Sequence, residues 1–151
     1  MSSLGDLFPE FELEDQTGKV WTLADLVGSP TIVYFYPKDD TPGCTMEACD
    51  FRDVHKEGSI KVFGVSPDPI QKHKKFADKH SLGFPLLSDP EKSLIGTLGL
   101  WNEKKFMGKK YMGTDRTTYV LDADACITRI YKDVKPIGHA KAVLADLGLV
   151  Q

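Results

Sequence analysis

Apolar and polar positions follow two rhythms along this chain. The run Thr31-Ile-Val-Tyr-Phe-Tyr36 is continuously apolar, β-branched and aromatic, and too short to cross a membrane, which predicts a buried strand ended by Pro37. Lys61-Val-Phe-Gly-Val-Ser66 reads the same way, and Leu86-Leu87 as a shorter version. Helix signals lie between these strands. Thr41 suits an N-cap, Pro42 suits the first helical position because its missing N–H would be unpaired there, and Glu47, Asp50 and Asp53 follow on a helix predicted to reach about Glu57. Pro67 and Pro69 open a helix running to about His80, a further helix is expected near 91–98, and a last one over about 139–147. Near the start, Phe11-Glu-Leu13 and Val20-Trp-Thr22 flank the turn signal Asp15-Gln-Thr-Gly18, as in a short hairpin. Late in the chain, Thr117-Thr-Tyr-Val-Leu121 and Cys126-Ile-Thr-Arg-Ile-Tyr131 predict an antiparallel pair joined by Asp122-Ala-Asp-Ala125.

This order implies an α/β fold of the thioredoxin-like kind: a mixed central sheet with helices on both faces and an N-terminal β-hairpin. The chain has 151 residues, 41% of them hydrophobic, and no internal repeat or linker, so one domain over 1–151 is expected. A net charge of −3 gives no basic field for nucleic acid, and no apolar stretch has the length of a membrane helix, so neither partner is expected. The leading Met1-Ser-Ser-Leu-Gly-Asp-Leu-Phe-Pro9 lacks a basic region followed by an apolar core, which makes a cytoplasmic address the default. Three cysteines, an odd number in a chain large enough to fold without staples, suit a reducing compartment. His55, His73, His80 and His139 show no metal-ligand spacing and read as surface or packing residues; no metal or cofactor is expected. Lys72-His-Lys-Lys75, with Lys79 and His80, reads as the wet face of an amphipathic helix that packs through Ile70, Phe76 and Ala77. Lys104-Lys105 and Lys109-Lys110 surround Phe106-Met107 in an expected loop after Trp101, either solvated or bordering a reactive site and attracting a reductant.

The chemistry concentrates in Pro37-Lys-Asp-Asp-Thr-Pro-Gly-Cys44-Thr-Met-Glu-Ala-Cys49. Cys44 falls in the first turn of the predicted helix, where backbone N–H groups lack intrahelical partners and the summed peptide dipoles favour an anion. Thiols at helix starts or beside cations ionise in the range of about 3.5–7.5. Five residues of ideal helix place the Cα atoms of Cys44 and Cys49 roughly 8.7 Å apart, beyond the roughly 7 Å limit for a disulfide. A bond between them therefore needs local unwinding and would be strained and reducible. The alternative is two buried helical cysteines that never meet.

Pro37-x-x-x-Thr41-x-x-Cys44 matches the active-site signature of peroxiredoxins, and Tyr34-Phe-Tyr-Pro37 through Thr41-Pro-Gly-Cys-Thr45 with Cys49 resembles the peroxiredoxin Q subfamily, also called bacterioferritin comigratory protein. The resemblance extends through Phe84-Pro-Leu-Leu-Ser-Asp89, Phe106-Met-Gly-Lys109 and Arg116-Thr-Thr-Tyr-Val-Leu-Asp122. It implies a thiol-dependent peroxidase acting on hydrogen peroxide and organic hydroperoxides. Cys44 would be the peroxidatic cysteine, Cys49 the resolving one, Thr41 a hydrogen-bonding partner of thiolate and substrate, Arg116 a cationic donor and Pro37 a shield. Thioredoxin, sometimes glutaredoxin, would recycle the disulfide, and the chain would act as a monomer. Apart from the resemblance, Arg116 reads as a solvated charge at a strand end. Cys126 follows Ala125, where the family often has a turn glycine, and reads as an ordinary strand thiol or one that receives a disulfide from Cys44 or pairs between chains. A redox sensor or a thiol–disulfide oxidoreductase of the same fold is the alternative, although the Cys-x-x-Cys of the latter is absent. Cys-x4-Cys is also part of an iron–sulfur spacing, for which three cysteines are too few.

Overall fold

Every residue of β3 (Thr31–Phe35) is buried, because the strand lies inside a sheet with cores on both faces. Alternation divides its side chains: Val33 and Phe35 enter one core, and Ile32 and Tyr34 the other. The computed structural model describes residues 2–56 and 60–148. Preceding β3 are β1 (Glu12–Glu14), β2 (Val20–Thr22) and a single 3₁₀ turn, Leu23–Leu26. After it come α1 (Pro42–Lys56), β4 (Lys61–Ser66), α2 (Ile70–His80), β5 (Leu86–Ser88) and α3 (Ser93–Thr97). The chain continues through β6 (Trp101–Phe106), β7 (Lys109–Thr114), β8 (Thr117–Leu121), β9 (Ile127–Tyr131) and α4 (His139–Asp146).

Seven strands form the main sheet in the order β2-β1-β5-β4-β3-β8-β9. β3, β4 and β5 are parallel, joined by crossovers through α1 and α2, whereas β1–β2 and β8–β9 are antiparallel hairpins at the two edges. The mixed sheet with helices on both faces and an N-terminal hairpin is the expected fold. α1, α2 and α4 cover the Tyr34 face; α3 and the 3₁₀ turn cover the other. The first hairpin turns on Asp15, whose carboxylate accepts from Thr17 N at 2.8 Å, Lys19 N at 3.2 Å and Trp21 Nε1 at 2.9 Å. Burial raises the Asp15 pKa, but these donors outweigh it and leave the carboxyl below its ordinary value.

Three expectations change. The basic segment after Trp101 is not a loop but the β6–β7 hairpin, paired from Trp101↔Thr114 to Phe106↔Lys109. Its turn is Met107-Gly108 with φ of 52° and 78°, a primed turn that Met does not advertise as Asn would. His73 is not on a wet face: it is fully buried within α2, while Lys72, Lys74 and Lys75 are exposed or flank it. The helix expected near 91–98 is shorter, because Asp89 fixes its start by accepting from the N–H groups of Ser93, Leu94 and Ile95. Glu57, the expected end of α1, lies outside the described residues, as does the side chain of His55.

β3 and β8 run antiparallel with Phe35 opposite Thr117 and Thr31 opposite Leu121. Cys126 follows the turn at the Leu121 end and bridges Leu7, whereas Cys44 lies beyond the Phe35 end. A strand of this length spans about 16 Å, so Cys126 is out of reach of Cys44 within one chain. Ala125 before it takes φ 62°, the conformation a turn glycine would adopt without strain.

Gly64 in β4 has a steric reason. A Cβ there would sit 3.0 Å from Leu86 Cδ2 and 3.0 Å from Cζ and Oη of Tyr34, which stacks on Phe51 of α1 at 4.6 Å between centroids. Gly64→Ala is expected to lower stability by about 1–3 kcal/mol through overpacking. Urea denaturation checks this, and an unchanged midpoint would mean that the Tyr34 layer yields freely.

Candidate active site

The site assembles where β3 delivers the chain to α1, beyond the carboxyl ends of the parallel strands. Thr45 is the first residue to bond back along the helix, to Thr41 O at 2.8 Å, so Thr41 stands at the N-cap position and Cys44 in the first turn. The amides of Gly43 and Cys44 precede the helical ladder and lend their partial positive charge to this end. Cys44 is 1% exposed.

Arg116 brings a positive charge beside Cys44 from 72 positions away. It immediately precedes β8, whose pairing with β3 brings it beside the start of α1. Its Nη2 donates to Cys44 Sγ at 3.2 Å and its Nη1 to Glu47 Oε1 at 2.6 Å, so one guanidinium bridges both groups. Burial opposes the Arg116 charge, but the facing Cys44 and Glu47 outweigh it and push the guanidinium above its ordinary value. The solvated strand-end reading of Arg116 is thereby excluded: its side chain is 17% exposed. Val134 N donates to Arg116 O at 3.0 Å, which ties the segment after β9 to the site.

Glu47 was not singled out by sequence reasoning. The signal was its spacing, since i and i+3 share a helix face, and both Cys44 and Glu47 are buried while Met46 between them is exposed. Desolvation pushes Glu47 up to about 7 against the pull of Arg116, and its buried Oε2 has no hydrogen-bond partner among the described residues. Gly43 and Pro136 were also missed. A Cβ on Gly43 would meet Pro136 Cγ at 3.3 Å and Arg116 Nη2 at 3.5 Å, so glycine leaves room for the guanidinium.

The remaining predicted residues are placed as follows. Cys49 is half-buried on α1, which continues unbroken through it, and all three cysteines are free thiols. The roughly 8.7 Å separation of an ideal helix therefore applies, and pairing requires unwinding. The Thr41 hydroxyl donates to Lys38 O at 3.1 Å, and among the described residues no hydrogen bond joins it to Cys44. Its lone pairs stay free to accept. Pro37 is half-buried at the end of β3. His139 is buried, with Nε2 2.8 Å from Thr118 Oγ1; burial first and Arg116 second push it down to about 4. Among the described residues no group of three His, Cys, Asp or Glu side chains is placed to hold a metal ion.

Residues 4–130 match the model of the AhpC/TSA family. The chain is 42% identical over 147 residues to Peroxiredoxin Bcp of Bacillus subtilis, covering 95% of this chain and 94% of that one. It is 43% identical over 143 residues to Peroxiredoxin Bcp of Escherichia coli, covering 93% and 92%. The solved structure of Mycobacterium tuberculosis BcpB superposes with a TM-score of 0.83 at 37% identity, covering 98% of this chain and 97% of that one. Xanthomonas campestris bacterioferritin comigratory protein, described as having alkyl peroxide reduction activity, gives 0.84 at 35% identity and coverage of 91% and 90%.

Glu47 sets a pH dependence whose direction follows from its burial. Its folded value of about 7 exceeds the ordinary 4.5, so the folded state binds more protons between these limits and stability falls as pH rises through the window. His139 acts oppositely: its folded value of about 4 lies below 6.5, and its contribution is lost as pH falls from 6.5. Comparison of wild type with Glu47→Gln largely cancels the His139 trend. Wild type is expected to lose stability relative to the variant from pH 4.5 to 7 in urea melts; a pH-independent difference would contradict the raised value.

Proposed function

The chain belongs to the AhpC/TSA family as a peroxiredoxin of the Bcp type, and on that premise we propose that Cys44 is its peroxidatic cysteine, working within a frame of Arg116, Thr41 and Pro37. The observation that carries this reading is the Arg116 bridge, with Nη2 3.2 Å from Cys44 Sγ and Nη1 2.6 Å from Glu47 Oε1. The guanidinium favours a negative sulfur, and the first-turn amides add to it.

The Cys44 thiolate attacks the terminal oxygen of a hydroperoxide. An S–O bond forms, the O–O bond breaks, and the departing hydroxide or alkoxide takes up a proton to leave as water or an alcohol. Sulfur is oxidised to a sulfenic acid and the peroxide is reduced. Thiolate formation alone does not make this fast, because nucleophilicity falls with basicity. Donors aimed at the oxygen that gains charge lower the barrier, and the rigid Arg116 fork with the amides near Gly43 and Cys44 serves this purpose. The Thr41 hydroxyl, donating to Lys38 O, offers its lone pairs to the peroxide O–H, and Pro37 limits water access.

The Cys49 thiol then attacks the sulfenic sulfur, releasing water and forming a Cys44–Cys49 disulfide once the first turns of α1 unwind. A dithiol reductant such as thioredoxin or glutaredoxin reopens the bond. Both cysteines lie on one helix, so the cycle needs only one chain, and we take residues 1–151 as a single domain acting as a monomer. An odd number of cysteines in a chain large enough to fold without staples suits a reducing cytoplasm.

Peroxide consumption with a thioredoxin system tests the assignment. Cys44→Ser should be inactive, and Cys49→Ser should react once and recycle poorly. Arg116→Met should lower the rate constant for peroxide by about 10²–10³, the usual effect of losing one oriented donor. Activity surviving in Cys44→Ser would refute the assignment. Hydrogen exchange tests the unwinding: oxidation should strip amide protection from residues 42–50, and unchanged exchange there would contradict it.

A further inference from the structure

The segment between β3 and α1 is fastened on its far side by a buried polar cluster that the reaction chemistry does not use. Asp39 is 7% exposed and His73 of α2 is 0% exposed. Asp39 Oδ2 lies 2.6 Å from His73 Nδ1, and Oδ1 accepts from the Tyr36 hydroxyl at 2.6 Å. His73 Nε2 is 3.1 Å from Leu87 O on β5. A carbonyl oxygen only accepts, so Nε2 carries a hydrogen and a second proton lies between Nδ1 and the carboxyl. The Asp39 N–H donates to Asp68 Oδ2 at 2.6 Å, and Asp68 N donates to Ser66 Oγ at 3.2 Å, linking the segment to the end of β4. Next in the chain, Asp40 has φ 59°, a conformation that costs free energy for a residue with a side chain and persists where its surroundings enforce it. Its carboxylate is held by Lys79 Nζ at 3.1 Å near the end of α2.

We propose that the buried Asp39–His73 pair is a positioning device for peroxide reduction, which locks the segment carrying Pro37 and Thr41 to α2 and β5 so that the start of α1 meets substrate in a fixed register. The inference rests on the assignment of Cys44 and Thr41 given above. The two carboxylates stand between Pro37 and Thr41, and each meets α2: Asp39 through the buried bond that holds the segment, Asp40 through an exposed ion pair that adds little. The same ties separate the part of the loop that stays from the part of α1 that unwinds. Among the described residues no hydrogen bond or ion pair joins the pair to Cys44, and the effect proposed for it is on geometry and not on the charge of the sulfur.

Two rates measured on the same thiol separate position from charge. Alkylation by iodoacetamide needs only an accessible thiolate, whereas peroxide reduction also needs the aligned frame. An Asp39→Ala/His73→Leu variant removes both members of the ion pair, so no buried charge is left facing a missing partner, although the Tyr36 hydroxyl and the Leu87 carbonyl lose their bonds to the pair. Its peroxide rate is expected to fall about ten- to a hundredfold, the scale of a small misplacement, while alkylation stays within about twofold of wild type. Asp39→Asn preserves the shape and hydrogen bonds of the cluster and should keep the peroxide rate within about threefold. If the double variant does not fold, His73→Gln, whose amide can keep the bond to Leu87 O while losing the one to Asp39, gives the same comparison of rates. The proposal is overturned if the peroxide rate is unchanged, if both rates fall together, or if Asp39→Asn loses as much as the double variant. Failure of the Cys44 assignment is recognised separately, by peroxidase activity in Cys44→Ser.

Discussion

The bridge from Arg116 to Cys44 and Glu47 is the interaction on which the rest of the site depends. On the proposed reading the Cys44 sulfur, 1% exposed, works as an anion in a pocket without water, and the fixed guanidinium 3.2 Å away is the group placed to take the water's part. Glu47 holds the other arm of the fork, which keeps the donors aimed and prevents the cation from turning to solvent. Burial raises Glu47 to about 7, so the bridge contains a carboxyl near its titration point as well as a permanent cation.

The fold is arranged to make that bridge. α1 and Arg116 come from distant parts of the chain and meet only because β3 and β8 pair from Phe35↔Thr117 to Thr31↔Leu121. The sheet thus fixes two ends that have no local reason to adjoin: the helix start with its unpaired amides and the strand start with its cation. Tyr34 and Phe51 stack beneath the helix, and Gly43 leaves the gap above it for the guanidinium and Pro136. Strand pairing fixes the Arg116 side of the site, and the proposed cycle asks only the first turns of α1 to rearrange.

Much of this was legible in the sequence wherever local chemistry decides the outcome. Continuous apolar runs gave β3 and β4, and Pro42 after Thr41 gave the start of α1 and with it the place of Cys44 in the first turn. What remained hidden was tertiary. His73 shares a stretch with four lysines, and only the position of Asp39 across a loop explains its burial. Glu47 looked like one more helix-face acid until Arg116 arrived from 69 positions away. The β6–β7 hairpin was missed because Met107-Gly108 adopts a turn that Asn-Gly would have signalled, and because its lysines resembled a solvated loop. The carbonyl partner of Thr41 was invisible for the same reason: sequence places a hydroxyl but not its direction.

In the proposed mechanism the Arg116 cation, and not the helix start alone, keeps sulfur 44 negative in its buried pocket. The most direct measurement is the ultraviolet absorbance of the thiolate, titrated in a chain whose only remaining cysteine is Cys44, with Arg116 intact and with Arg116→Met. A thiolate at neutral pH is expected in the first and its loss at the same pH in the second. A sulfur still protonated well above neutrality with Arg116 present, or one equally ionised without it, would contradict the account.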